Sequence, residues 1–298
     1  MENFKEKMQK SGMDTCNRWG IYEVALDGPK EGNPFTEQRV TGTFHSINET
    51  VSCDGFYDGD GIYRIRFMPS FEGEYTYQIQ TTFGKEYEGH FTVIKPKENA
   101  HGPVRVANTY HMAYEDGTPY YSIGTTCYVW ELQSDELIEQ TFDTLKNSAF
   151  NKIRFCIFPK HYDYNLREPR SYPYEGTPMD SSILTTENFW DYTGKTKGNH
   201  WDFTRFNPKH FQHIENCIRR LGELGIEADL IMMHPYDRWG FSRMTPFSTG
   251  SIPRARAGRE SVTRLSHKSC TGVRGIWGKR RAVAQKMVKI SPMLQESR

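Results

Sequence analysis

Between residues 18 and about 95 the chain alternates apolar and polar positions over short runs. "RWGIYEVAL", "GIYRIRFMP", "GEYTYQIQTTF" and "YEGHFTVI" each carry a period of two, and Gly, Asp, Asn and Pro separate them. Side chains that point alternately to two faces need that period, so the pattern predicts an antiparallel, Ig-like β-sandwich. No segment here is long and helically periodic. "FYDGDGIY" contains D-x-D-G, but the closing glutamate and further oxygen ligands of a calcium loop are missing. It reads as a hairpin turn in which Asp58, Asp60 and the glycines supply the backbone conformations.

"KPKENAHGPVRV" reads as a linker, and beyond it the period changes. "PYYSIGTTCYVW" is expected to be a buried strand. "SDELIEQTFDTLKNSAF" places Ser134 at a capping position, acids in the first turn, and Leu137, Ile138, Phe142 and Leu145 on one face, which predicts a helix. "NKIRFCIF" follows as a second strand. "NPKHFQHIENCIRRLGELG" is a second helix, with Asn207 as its cap, Pro208 at its first position and Gly225 at its end, and "IEADLIMM" is a third strand. Strand, helix, strand, helix, strand requires parallel pairing through helical crossovers, hence an α/β fold after the linker.

In parallel sheets ligands meet the carboxyl edge of the strands, where loops take over. Each expected strand ends in polar and aromatic groups: Thr125, Thr126, Tyr128 and Trp130 after the first, Lys160, His161, Tyr162 and Asp163 after the second, and His234, Tyr236, Asp237, Arg238 and Trp239 after the third. The loops "FPKHYDYNLREPRSYPYEG" and "ENFWDYTGKTKGNHWDFTRF" carry more of both kinds. Aromatic faces interleaved with charged groups suit a neutral polyhydroxylated ligand, whose C–H patches stack on rings while its hydroxyls bind donors and acceptors. Arg154 lies inside the second strand, where a buried charge calls for carboxylates nearby. It joins Trp130, Lys160, His161, Tyr162, Asp163, His234, Tyr236, Asp237, Arg238 and Trp239 as the expected substrate-binding set. His210 and His213 sit three apart on the second helix, but no third ligand stands out, so they are expected on a solvated face. No metal or cofactor is expected.

Composition sets outer limits. With 298 residues, 36% hydrophobic and 25% charged, the chain has an ordinary globular make-up. Cys16, Cys53, Cys127, Cys156, Cys217 and Cys270 form no C-x-x-C pair, and the opening "MENFKEKMQKSGMD" has no apolar stretch suited to a signal peptide. The expectation is a cytoplasmic protein with free thiols. No run approaches the roughly 18 apolar residues that cross a bilayer. The net charge of +1 hides a split: from Thr245 onward 12 Lys/Arg face 2 acids, while the first 244 residues carry 26 against 35. Dinucleotide, P-loop and serine-hydrolase chemistry lack their sequence anchors.

The strings "RWGIYEVALDGPKEGNPF", "GFYDGDGIYRIRFMP", "YHMAYEDGTPYYSIGTTCYVW", "FNKIRFCIFPKHYDYN" and "LGIEADLIMMHPYDRWGF" together closely resemble a bacterial family of candidate glycoside hydrolases, over roughly residues 17 to 244. The resemblance implies a β-sandwich of unknown function joined to a (β/α)8 TIM barrel. It also implies a retaining enzyme that hydrolyses O-glycosidic bonds of an oligosaccharide with glutamates after barrel strands four and seven. One carboxylic acid would protonate the leaving oxygen and one carboxylate, about 5 Å away, would attack the sugar carbon. Arg154 and His234 would flank the subsite of the cleaved sugar, lowering the nucleophile's pKa and holding the acid in place.

Beyond Met244 the resemblance stops. "TPFSTGSIPRARAGRESVTRLSHKSCTGVRGIWGKRRAVAQKMVKISPMLQESR" has no sustained apolar period, and neither Glu260 nor Glu296 ends a convincing strand. The expected organisation is an extension over 1–16, a sandwich over 17–98, the first three strand units of a barrel over 99–244, and an atypical basic tail over 245–298. A reading-frame shift near codon 245 is the leading explanation, which leaves the chain without its catalytic pair. A naturally shortened, non-catalytic carbohydrate-binding protein is the alternative, and nucleic-acid binding through the basic tail is a weaker one.

Overall fold

The alternating segments of the first hundred residues pair into two sheets that face each other. In a computed structural model, which describes residues 15–162, 165, 167–178, 199–231 and 239, β1 (Thr15–Asn17), β3 (Val40–His45), β4 (Thr50–Asp54), β7 (Gly73–Thr81) and β8 (Glu86–Ile94) form one sheet in the order β1-β8-β7-β3-β4. β2 (Tyr22–Asp27), β5 (Phe56–Gly59) and β6 (Ile62–Phe67) form the other, in the order β2-β6-β5. All neighbours are antiparallel except β1, which runs parallel to β8. The inward residues are mostly aromatic. Tyr22 stacks on Phe91 with ring centroids 3.7 Å apart, and Phe44 stacks on Phe67 at 4.5 Å. Each such ring is worth about 3–5 kcal/mol against truncation to alanine.

The turn in "FYDGDGIY" divides its labour differently from the sequence reading. Gly59, Asp60 and Gly61 take left-handed backbone, at φ of 96°, 53° and 80°. Asp58 does not; its carboxylate instead accepts from Arg64 Nε at 2.5 Å. The segment expected to be a linker is only partly one. It ends in a hairpin, β9 (Val104–Ala107) against β10 (His111–Tyr114), turned by Asn108 and Thr109 at φ of 47° and 68°.

The expected parallel sheet is present. β11 (Gly124–Thr126), β12 (Lys152–Cys156) and β15 (Glu227–Ile231) lie side by side in that order, both pairs parallel. α2 (Asp135–Lys146) makes the first crossover. The second contains an antiparallel pair, β13 (Tyr174–Thr177) with β14 (His200–Phe206), and then α3 (Pro208–Glu223). A short helix, α1 (Pro34–Glu37), lies between β2 and β3. Tyr114 and Tyr120 both donate from their hydroxyls to the buried Glu227 carboxylate, at 3.1 and 2.6 Å, which ties the β9–β10 hairpin to the start of β15.

Several local expectations are corrected. "PYYSIGTTCYVW" is not a buried strand: only three residues are extended, and Tyr121 and Ile123 are 74% and 53% exposed. β11 pairs only with β12 among the described residues, so it has the exposure of an edge. Leu137 is exposed while Ile138, Phe142 and Leu145 are buried, because steps of four and three from Ile138 define the inward face of α2. Ser134 and Asn207 occupy the N-cap positions without a side-chain capping bond. The Asn207 amide donates to the Tyr172 carbonyl instead.

The two helical histidines are not solvated. His210 is fully buried; its Nε2–H donates to the Ile157 carbonyl at 3.0 Å, which leaves Nδ1 to accept from the Ser171 hydroxyl at 2.8 Å. His213 is half-buried and donates from Nε2 to the Glu131 carbonyl at 2.6 Å. Both pin α3 to the loops that follow β11 and β12.

Candidate functional site at the strand ends

β12 presents two faces of opposite character. Ile153, Phe155 and Ile157 are buried in the core shared with α2 and α3, while Lys152 and Arg154 alternate onto the other face. Arg154 is therefore not a buried charge: its side chain is 56% exposed, and Nε and Nη2 donate to Asp229 Oδ2 at 2.9 and 2.8 Å. Asp229 is its register partner on β15, so the expected carboxylate is present.

Beyond the ends of β11 and β12, Lys160 lies between two tyrosines. Its Nζ sits 3.5 Å from the ring centroid of Tyr128 and 5.4 Å from that of Tyr162. The two rings meet edge to face at 5.9 Å. Burial holds the Lys160 ammonium below its usual pKa and pushes the Tyr162 phenol above its own. Asn165 bridges back to Tyr162 and donates from Nδ2 to the Lys160 carbonyl at 3.1 Å, while its Oδ1 accepts from Gln133 at 3.1 Å.

A second group gathers around Trp239. His161 is buried and meets the Trp239 ring edge on at 6.3 Å. The Trp239 Nε1–H donates to Glu168 Oε2 at 3.0 Å, and its carbonyl accepts from Trp201 Nε1 at 2.7 Å. Tyr172 donates its hydroxyl to the same Glu168 oxygen, and its ring packs against Trp201 at 5.0 Å and Trp239 at 6.0 Å.

Of the residues expected at the mouth, Lys160, His161, Tyr162 and Trp239 are thus placed near the strand ends, with Lys160 and Tyr162 half-buried and His161 and Trp239 fully buried. Arg154 lies within the sheet, on its open face. Trp130 is elsewhere: it starts a short 3-10 turn and is buried edge-on between Phe142 and Phe155, so it offers no ring face to a ligand. Asp163, His234, Tyr236, Asp237 and Arg238 lie outside the described residues, as does the basic tail. Glu168, Tyr172 and Trp201 are not singled out by the sequence pattern. The signal for Glu168 is an acid in an aromatic-rich loop.

Next to Trp130, Glu131 is wholly buried, and neither carboxylate oxygen has a hydrogen-bond partner among the described residues. Burial raises its pKa well above the ordinary carboxylate value. Around it, burial likewise pushes the Cys156 and Cys217 thiols up to about 12. Five cysteines are described and all are free. Among the described residues no group of three His, Cys, Asp or Glu side chains is placed to hold a metal, and no helix is long and apolar enough to cross a membrane.

The family model for a domain of unknown function, DUF5060, matches residues 15–82. No curated protein matches the sequence. Among solved structures, a candidate glycoside hydrolase from Bacteroides vulgatus ATCC 8482 is 38% identical, with a TM-score of 0.70 over 78% of this chain and 44% of that one. A Lin-41 filamin domain (20% identical, TM-score 0.23, 28% of this chain and 84% of that one) and another glycoside hydrolase (14%, TM-score 0.30, 57% and 39%) superpose too loosely to bear on the fold. The chain spans less than half the length of the Bacteroides vulgatus protein. Over most of its own length, this mainly β chain with few helices is similar to a candidate glycoside hydrolase, and it carries a DUF5060 match near its start.

Proposed function

We propose that this is a glycoside hydrolase-like protein whose strand-end cluster belongs to an oligosaccharide-binding mouth. The carrying observation is the juxtaposition of Tyr128, Lys160 and Tyr162 with His161, Trp239 and the Glu168 carboxylate beyond the ends of parallel strands. The half-exposed Tyr128 and Tyr162 rings supply stacking faces, and ammonium and phenol groups supply directional partners for hydroxyls. In this reading the facing sheets are an Ig-like sandwich, and β11, β12 and β15 are the first three strands of a (β/α)8 barrel. The polar face bearing Arg154 and Asp229 would then look toward the barrel interior.

A glycoside hydrolase of this kind would cleave O-glycosidic bonds with two carboxyl groups. One donates its proton to the leaving oxygen as the other adds to the sugar carbon, and water then releases the sugar while the first takes back a proton. We assign neither carboxyl group to a residue of this sequence, because the chain departs from the resemblance beyond Met244. The chain is therefore expected to bind oligosaccharide without cleaving it. Neutral oligosaccharides titrated into the full chain, followed by assay of released reducing ends, test this. Saturable binding without release is expected. Cleavage of an aryl glycoside faster than a His234→Ala control would contradict the missing pair.

A further inference from the structure

The three-stranded sheet β2-β6-β5 meets α3 through a closed ring of polar groups. Pro208, Gln212 and Glu215 recur at steps of four and three, which puts them on one side of α3, while Phe211, Ile214, Ile218 and Leu221 bury the other side in the α/β core. Gln212 Nε2 donates to the Asp58 carbonyl at 2.9 Å and to its Oδ1 at 3.2 Å. Asp58 pairs with Arg64, Arg64 and Arg66 both pair with Glu23, and Arg66 Nη2 donates to Glu215 Oε2 at 3.1 Å. The ring closes on the helix it left. Arg66 and Glu215 are only 13% and 17% exposed at their side chains, which shields that link of the ring from solvent screening.

Four flanking contacts fix the same approach. Gly59 turns at a φ of 96° against Pro208, where a Cβ would stand 3.3 Å from the proline ring. Phe35 meets Phe206 edge on at 5.8 Å, Asn33 donates to the Thr204 hydroxyl at 2.8 Å, and Arg205 donates to the Gly32 carbonyl at 2.6 Å. The outward face of the five-stranded sheet is unlike a sugar platform. It presents Thr41, Thr43, Ser52, Thr76, Gln78 and Glu88, with no Phe, Tyr or Trp among its described outward residues.

We propose that the segment matching the domain of unknown function acts as a brace on α3, with Asp58 and Arg66 as its positioning residues, and is not itself a ligand module. α3 leads directly into β15, whose register with β12 sets the Arg154–Asp229 pair. Holding α3 therefore holds the open face of the parallel sheet. The inference stands apart from the carbohydrate reading, since its test needs no ligand.

Hydrogen exchange on the full chain, parent against Arg66→Met and Glu215→Gln, tests it with α2 as internal reference. The brace predicts that amides of 208–223 exchange about tenfold faster in each variant while those of 135–146 change little, and that the double variant adds little to either single one. Should Arg66→Met not fold, Gln212→Ala, which removes no charged side chain, is read in the same way. Unchanged exchange in α3, equal acceleration in α2 and α3, or additive effects would overturn the proposal.

Discussion

Trp239 and Glu168, 71 residues apart in sequence, are joined by an indole-to-carboxylate hydrogen bond of 3.0 Å. The same oxygen of Glu168 also accepts the Tyr172 hydroxyl, so one carboxylate gathers two aromatic side chains. Hydrogen bonds to a charged acceptor are worth about 1.5–3 kcal/mol each. Glu168→Ala is expected to lose about 2–3 kcal/mol in equilibrium denaturation and to shift tryptophan emission to the red. Glu168→Gln, which can still accept both bonds, should lose less.

Glu131 gives stability a pH dependence of definite sign. Burial raises its folded-state pKa above the unfolded value of 4.5, so the folded protein holds more protons than the unfolded chain above that pH. Stability should therefore be highest below about pH 4.5 for this group, and fall by up to about 1.4 kcal/mol per pH unit as pH rises toward the folded pKa. The thiols of Cys156 and Cys217 stay protonated throughout, whereas burial lowers the pKa of His213 and adds a loss of the opposite sign in acid. Glu131→Gln cancels the Glu131 contribution alone. Denaturation midpoints of the variant and parent should converge near pH 4 and diverge toward neutrality, with the variant the more stable.

Arg154 and Asp229 form an exposed cross-strand pair, and such pairs contribute about 0.2–1 kcal/mol. A double-mutant cycle with Arg154→Met and Asp229→Asn should give a coupling within that range at low salt, and less at high salt. A loss of ligand binding in Arg154→Met could then be assigned to the ligand and not to unfolding.

Gly102 has a φ of 77°, and a Cβ there would stand 2.6 Å from the Trp19 ring. Both the backbone and the close approach oppose substitution. Gly102→Ala is expected to cost about 2–4 kcal/mol, seen as a melting temperature lower by roughly 5–10 °C.

The sheets were legible wherever one face is buried and the other wet. "YRIRF" and "YTYQI" alternate because their inward residues meet the aromatic core. The parallel order of β11, β12 and β15 followed from the helical crossovers. Legibility failed where a polar residue has a specific partner distant in sequence. His210 and His213 looked solvated because Ile157, Ser171 and Glu131, which satisfy them, lie 39 to 82 positions away. Trp130 looked like a rim residue because its place in the core depends on Phe142 and Phe155, which sequence spacing does not bring together. Glu168 is inconspicuous in the sequence for the same reason, since its role exists only once Tyr172 and Trp239 converge on it.

Calorimetric titration of a panel of neutral oligosaccharides into the full chain and its Lys160→Met variant tests the central claim most directly. The cluster predicts saturable binding by the parent, weakened about tenfold or more in the variant, with denaturation midpoints that stay close. Equal affinity in the two proteins, or binding of no oligosaccharide by a folded parent, would contradict it.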